Sequence, residues 1–398
     1  MSSRDRVLAI IMAGGSGGRL EVLTDFRAKP AIPYAGVYRL IDFPLSNCLH
    51  SGLSDVWIAQ QYQPQSLNDH LSNGRPWDLD RTYGGLRVLQ PYQGREESGW
   101  HQGNADALYR HKQDIQSFDP DVVIVLSADH VYKLDYQRVI DLHKELHADV
   151  TMVTKQVPLE QASDHGVVQV GSDGRVTGFE YKPESPSSDL VTTEVFAYDP
   201  ARLLATLDQL AEEDGELQDF GHGLLPRLVE AGNAYEYRLD GYWMDVGTPI
   251  KYWRAHMDLL VEEPELDLDD AEWPVLTVGA QRNPAWIHAS AHIDNSLISP
   301  GGRIRGEVVN SVLSPGVTVE AGASIRDSVI LDGAVIEAGA TITGAIVDRN
   351  ACIGRRASVG GSEQRAKDRA VVALVGQAAR VEPGSSVPAD GRVSAGTA

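Results

Sequence analysis

The chain has 398 residues, 42% of them hydrophobic and 23% charged, a globular composition with room for more than one core that excludes a disordered or fibrous chain. Its formal charge of −21 opposes nucleic acid and anionic membranes as partners, so an anionic substrate must be met by cations gathered locally. Cys48 and Cys352 lie far apart, which excludes a disulfide framework or cysteine metal site. With a first apolar run too short for a leader or a membrane span, they predict a cytoplasmic protein with both thiols buried.

The first predicted strand, Val7–Met12, breaks into Ala13-Gly14-Gly15-Ser16-Gly17-Gly18-Arg19 and continues to Arg27-Ala28-Lys29-Pro30. Flexible backbone and cations where a parallel strand hands over to a loop and helix suit a phosphate. The spacing is not that of a dinucleotide fingerprint, since Leu20 stands where the third glycine belongs, nor that of a P-loop.

Further strands are expected at Asp55–Ala59, Val122–Ser127, Val150–Val153, Gly166–Val170 and Glu194–Tyr198, and helices at Asn104–Gln116, Tyr136–Leu146 and Pro200–Leu210. This alternation predicts an α/β domain with a mostly parallel sheet over residues 1–260, its ligands at the carboxyl ends of the strands. Val122–Ser127 ends in Ala128-Asp129, which puts a carboxylate beside the glycine loop, where it would hold Mg²⁺ on a triphosphate. The bland alternative is that Asp129 caps a helix, and His130 reads as structural. Lys182, held extended by Pro183, would reach a second phosphate or lie in a surface turn. Asp245, before a helix near Ile250, would supply the second metal carboxylate or cap that helix.

Residues 261–283 begin with a run of Glu and Asp around Pro264 and read as a solvated linker. Beyond it, Ser311-Val312-Leu313, Ser328-Val329-Ile330 and Ala345-Ile346-Val347 recur every seventeen residues, with Val319, Ile325, Ile336, Ile342, Ile353 and Val359 between them. Three short strands per period predict a parallel β-helix of hexapeptide type over residues 284–398. Its flat ends predict a homo-oligomer.

These residues resemble the sugar-1-phosphate nucleotidylyltransferases, and within them the glucose-1-phosphate adenylyltransferase family, over nearly the whole chain. The markers are Leu23 to Ala31 (Leu-Thr-Asp-Phe-Arg-Ala-Lys-Pro-Ala), Tyr38 to Cys48, Gly103 to Ala107, Ala128 to Tyr136, Asp219-Phe220-Gly221 and Gly241 to Thr248. The resemblance implies a Rossmann-like nucleotidyltransferase domain followed by a left-handed β-helix, in a homotetramer. It implies the reaction of ATP and glucose 1-phosphate to ADP-glucose and pyrophosphate with Mg²⁺. Ala13, Gly14, Gly15, Gly17, Gln61, Gly103 and Asn104 would then bind the nucleotide, and Arg19 and Lys29 would neutralise the triphosphate. Asp129 and Asp245 would hold the metal, and Lys182, Tyr181 and Thr192 would bind the sugar phosphate.

Several positions depart from the family pattern: Gly18 for its usual Thr, Tyr181 for Glu, Thr192-Thr193-Glu194 for Ser-Met-Gly, His222-Gly223 for Lys-Asp, and Met244 for Arg. Most surround the sugar, so a different sugar 1-phosphate such as glucosamine 1-phosphate, or a non-catalytic regulatory homologue, is the alternative. With only His288 and His292 as its histidines, the β-helix segment is expected to be structural rather than an acyltransferase.

Overall fold

The computed structural model describes residues 5–91, 101–214, 217–279, 281–361 and 371–396. Residues 280, 362–370 and 397–398 of the predicted linker and β-helix lie outside that set. The chain forms two compact units. One comprises Met1–Ser16, Phe43–Pro64 and Ser72–Trp243, and the other Gly17–Asp42, Gln65–Leu71 and Met244–Ala398.

The first unit is built on a nine-stranded sheet: β1 (Val7–Ala13), β2 (Asp55–Gln60), β3 (Gly85–Leu89), β4 (Val122–Ser127), β5 (Val150–Gln156), β6 (Gly166–Val170), β7 (Val176–Tyr181), β8 (Leu190–Tyr198) and β9 (Ala234–Arg238). The spatial order is β7-β6-β8-β4-β1-β2-β3, and β5 pairs with β8 and β9. β4, β1, β2 and β3 run parallel, whereas β8 runs antiparallel to β4, β5 and β6. Continuous apolar runs such as Val122–Leu126 are buried throughout, as strands covered on both faces require.

Three strands escape the sequence pattern. β3, Gly-Leu-Arg-Val-Leu, is short and broken by the exposed Arg87, and β7 and β9 mix half-buried polar residues with apolar ones, so neither period dominates. The helix expected at Asn104–Gln116 divides at His111 into α1 (Asn104–Arg110) and α2 (Lys112–Phe118). In α3 (Tyr136–Glu145) the buried residues Tyr136, Val139, Ile140 and His143 follow helical spacing, and Asp135 caps it by accepting from Gln137 N at 3.0 Å. That assigns the cap to Asp135 and leaves Asp129 for another task.

After the glycine loop the expected α-helix is instead a 3₁₀ stretch, Gly18–Thr24, broken at Glu21 (φ 53°, ψ −134°). It therefore presents no aligned row of helical N–H groups. The second unit contains the β-helix, in which three six-stranded parallel sheets stack coil upon coil. Val308 pairs with Ile325, Ile325 with Ile342 and Ile342 with Val359, as Val319 does with Ile336 and Ile336 with Ile353, steps of seventeen residues that put these side chains into one buried core. Cys48 is buried, but Cys352 is only half-buried, its Sγ 3.6 Å from Glu337 Oε1, because it faces outward from a coil. Among the described residues no helix is long and apolar enough to cross a membrane.

Candidate functional site

In the first unit, the carboxyl end of β1 opens onto a cavity of about 170 Å³ lined by Gly14, Gly15, Ser16, Gln61, Gly103, Asn104 and Asp219, with Ala13 buried at the strand's end. Gln61 donates from Nε2 to the carbonyl of His101 at 3.1 Å and accepts from His101 N at 2.6 Å. The amide is thus held in one orientation while keeping one N–H and one lone pair for a base edge. His101 is pushed down to about 4 by burial and by His111, so its ring is neutral near pH 7.

Gly103 is extended, and a methyl there would lie 2.4 Å from the carbonyl carbon of Gln218 and 2.6 Å from Asp219 N. Only glycine permits that approach, which is closed by Ala105 N donating to Gln218 O at 3.1 Å. Around Gly15 no atom lies within 4 Å of such a methyl, so packing does not account for glycine there.

Asp129 follows β4, with Ser127 Oγ 2.5 Å from its Oδ1 and 3.1 Å from Glu194 Oε2. One hydroxyl proton cannot serve both carboxylates. His130 Nδ1 lies 3.0 Å from Thr193 O, and a carbonyl only accepts, so this nitrogen carries the proton; Nε2 lies 3.7 Å from Asp129 Oδ1. Ligand atoms of Asp129, His130 and Glu194 all fall within 4.8 Å of one another. Glu194 sits where β8 shifts register against β5, with φ 57° in the left-handed region. The sequence marks Glu194 only as a substitution; its place beside Asp129 comes from antiparallel pairing of β8 with β4, which no local pattern encodes.

Nearby in the same unit, the Tyr181 hydroxyl donates to Asp219 Oδ2 at 3.3 Å, and its ring meets His222 edge-on at 4.7 Å. A methyl on Gly221 would lie 2.0 Å from the Tyr181 ring. Lys182 is not extended as its proline suggested. Its φ is 47°, its N–H donates to His165 O at 3.0 Å, and Nζ lies 4.8 Å over the Tyr181 ring. The hydrogen bond to His165 sets this turn against the preference of a residue preceding proline. Thr192 is buried, with Oγ1 facing Gly166.

The second unit gathers Arg19, Lys29 and Asp245. Lys29 Nζ is 3.6 Å from Asp245 Oδ1 with both side chains largely buried. A methyl at Gly247 would lie 3.0 Å from Asp245 Oδ1 and 3.2 Å from Arg19 Nη2. The cap of the following helix α4 (Pro249–Met257) is Thr248, accepting from Lys251 N at 3.4 Å, so Asp245 is not its cap. Gly17 belongs to this unit, with φ 71°.

A family model described as nucleotidyl transferase matches residues 8–262, and one described as the GlmU-like C-terminal hexapeptide matches residues 283–377. The chain belongs to the nucleotidyl transferase family. The repeat is accordingly a left-handed hexapeptide β-helix. A glucose-1-phosphate adenylyltransferase of Clostridium acetobutylicum is 40% identical over 318 residues, covering 80% of this chain and 84% of the relative. Those of Desulforamulus reducens and Thermotoga maritima are each 40% identical, over 325 and 321 residues, covering 81% and 80% of this chain and 82% and 76% of the relatives. Nucleotidyl transferases generally use a divalent metal. In the first unit the oxygen donors of Asp129 and Glu194 have the hard chemistry such an ion takes.

Proposed function

We propose that this nucleotidyl transferase moves the adenylyl group of ATP onto glucose 1-phosphate, giving ADP-glucose and pyrophosphate for α-glucan synthesis. A sugar-phosphate oxygen attacks the α-phosphorus, a new O–P bond forms, and the bond to the β-phosphate oxygen breaks, its electron pair leaving with pyrophosphate. The nucleophile is already an anion, so positioning and charge neutralisation carry the rate and no general base is needed. The observation that supports this most is the gathering of Lys29 and Arg19 about Asp245, cations and a carboxylate of the kind a triphosphate and its metal require.

Gln61, Gly103 and Asn104 bind the base side of ATP, Gly14 and Gly15 wrap the nucleotide toward its phosphates, and Gly17 starts the segment that brings Arg19 and Lys29 to them. Asp129 and Asp245 hold Mg²⁺, with Glu194 beside Asp129. When bound, Mg²⁺ offsets charge on the phosphates. Lys182, Tyr181 and Thr192 bind the sugar phosphate. We assign catalysis to residues 1–260 and assembly to the β-helix of residues 284–398, joined by 261–283, in a cytoplasmic homotetramer. A second reading, an amino sugar such as glucosamine 1-phosphate, is supported by the Glu194 carboxylate at a position where the family resemblance places a glycine. Pyrophosphate release over a grid of nucleoside triphosphates and sugar 1-phosphates tests both. ATP with glucose 1-phosphate is expected to give the highest kcat/KM; preference for glucosamine 1-phosphate would favour the second reading, and no turnover on any pair would refute both.

A further inference from the structure

The segment that carries Arg19 and Lys29 is fastened to one edge of the β-helix. Arg27, 6% exposed, donates from Nη2 to Asp348 Oδ1 and Oδ2 at 2.7 and 2.9 Å and to Gln377 Oε1 at 2.8 Å, and Asp348 is fully buried. Arg39 donates to the carbonyl of Ala31 at 3.0 Å and lies 3.7 Å from Asp332. Glu21 pairs with Arg392.

Asp332, Asp348 and Gln377 lie at neighbouring positions of successive coils, Asp348 one residue past the last paired residue of its strand and Asp332 and Gln377 two past theirs. They follow strands Val329–Ile330, Ala345–Val347 and Ala373–Val375, which stack in register in one sheet, so the three side chains emerge at the same corner of successive coils. Arg392 lies on the next strand of that sheet. Between the anchors, Ala28 N donates to Ser66 Oγ at 2.9 Å, and Ala31 N donates to Ala28 O at 2.9 Å, closing the short turn that starts at Lys29. The backbone of Lys29 is therefore fixed two residues from a buried three-contact anchor.

We propose that this corner of the β-helix is a positioning device for adenylyl transfer, with Arg27, Asp348 and Gln377 as positioning residues that hold Lys29 against Asp245. The inference rests on the role given to Lys29 above. Catalysis by fixed charges requires that the cation be in place before the phosphates change charge, and a lysine on a loose loop would have to be ordered in every turnover. The anchor supplies that order from the β-helix, whose part then extends beyond assembly.

The test compares wild type, Arg27→Met/Asp348→Leu and Gln377→Leu in the full chain, by ATP-dependent turnover, thermal midpoint and KM for ATP. Wild-type turnover is recorded first, and its absence refutes the adenylyl-transfer reading rather than the anchor. The double substitution exchanges a buried ion pair for apolar side chains, a change that commonly preserves stability. The expected result is a thermal midpoint near wild type, kcat reduced at least tenfold and KM for ATP within threefold. A variant of normal midpoint with wild-type kcat would overturn the proposal. Should the double variant fail to fold, Gln377→Leu decides, since it removes one hydrogen bond and strands no charge: kcat reduced threefold or more at constant midpoint supports the anchor, and unchanged kcat refutes it.

Discussion

Two glycines of the nucleotide cavity make opposite demands, and a paired substitution separates folding from binding. In Gly103→Ala the new methyl meets the carbonyl carbon of Gln218 at 2.4 Å, about 1 Å inside ordinary contact, and the obstacle is backbone. Segment 217–219 must shift, at a cost of about 1–3 kcal/mol typical of overpacking. In Gly15→Ala the methyl meets nothing within 4 Å, and the φ of Gly15 is not left-handed, so the folded protein accepts alanine without strain. If the Gly15 backbone approaches the triphosphate, the methyl displaces it and removes a charge-assisted N–H bond of about 1.5–3 kcal/mol, raising KM for ATP roughly 10- to 150-fold. Thermal melts and ATP titrations of turnover read the pair: Gly103→Ala lowers the midpoint and raises KM, while Gly15→Ala raises KM alone. A Gly15→Ala protein with KM for ATP within twofold of wild type would refute the wrapping of the nucleotide by this loop.

His256 accepts from Ala35 N at 3.1 Å and donates from Nδ1 to Tyr252 O, so it is locked neutral and burial pushes it down to about 4. The unfolded chain takes up that proton below about pH 6.5, so stability is full above 6.5 and falls as pH drops toward 4, by about 2 kcal/mol at pH 5. Urea midpoints of wild type and His256→Gln at pH 8 and 5 check this, and an identical pH dependence in the two refutes it. Tyr181→Phe removes the hydroxyl contact to Asp219 and keeps the ring against Gly221; KM for the sugar 1-phosphate should change roughly fivefold and KM for ATP less than twofold, and equal shifts in both would contradict the placement. Ile342→Ala, between Ile325 and Val359 in the stack, should cost about 2–5 kcal/mol in urea unfolding; a loss below about 1 kcal/mol would mean the coil collapses onto the gap.

The sequence was most legible where one physical demand acts alone. Val122–Leu126 must be apolar at every position because both faces are covered, and Val308, Ile325, Ile342 and Val359 repeat because each coil stacks on the last. β7, antiparallel to β6, and β9, parallel to β5, were hidden because half-buried edge strands share polar residues with loops. The sequence offers Asp129, Lys29 and Asp245 as candidates one by one, but says nothing of what surrounds each of them. Glu194 reaches Ser127 through long-range strand pairing, Lys182 turns against the preference of its proline, and Arg27 finds Asp348 from 321 residues away. None of these contacts has a local signature.

The most direct test follows label from α-phosphorus-labelled ATP into product, with glucose 1-phosphate and Mg²⁺, in wild type and in Asp129→Asn. Label is predicted in a sugar nucleotide in equal amount to the pyrophosphate released, and Asp129→Asn should reduce that transfer by about 10²–10³-fold without altering the thermal midpoint. Label recovered only as free nucleotide, or transfer undiminished in Asp129→Asn, would contradict the account.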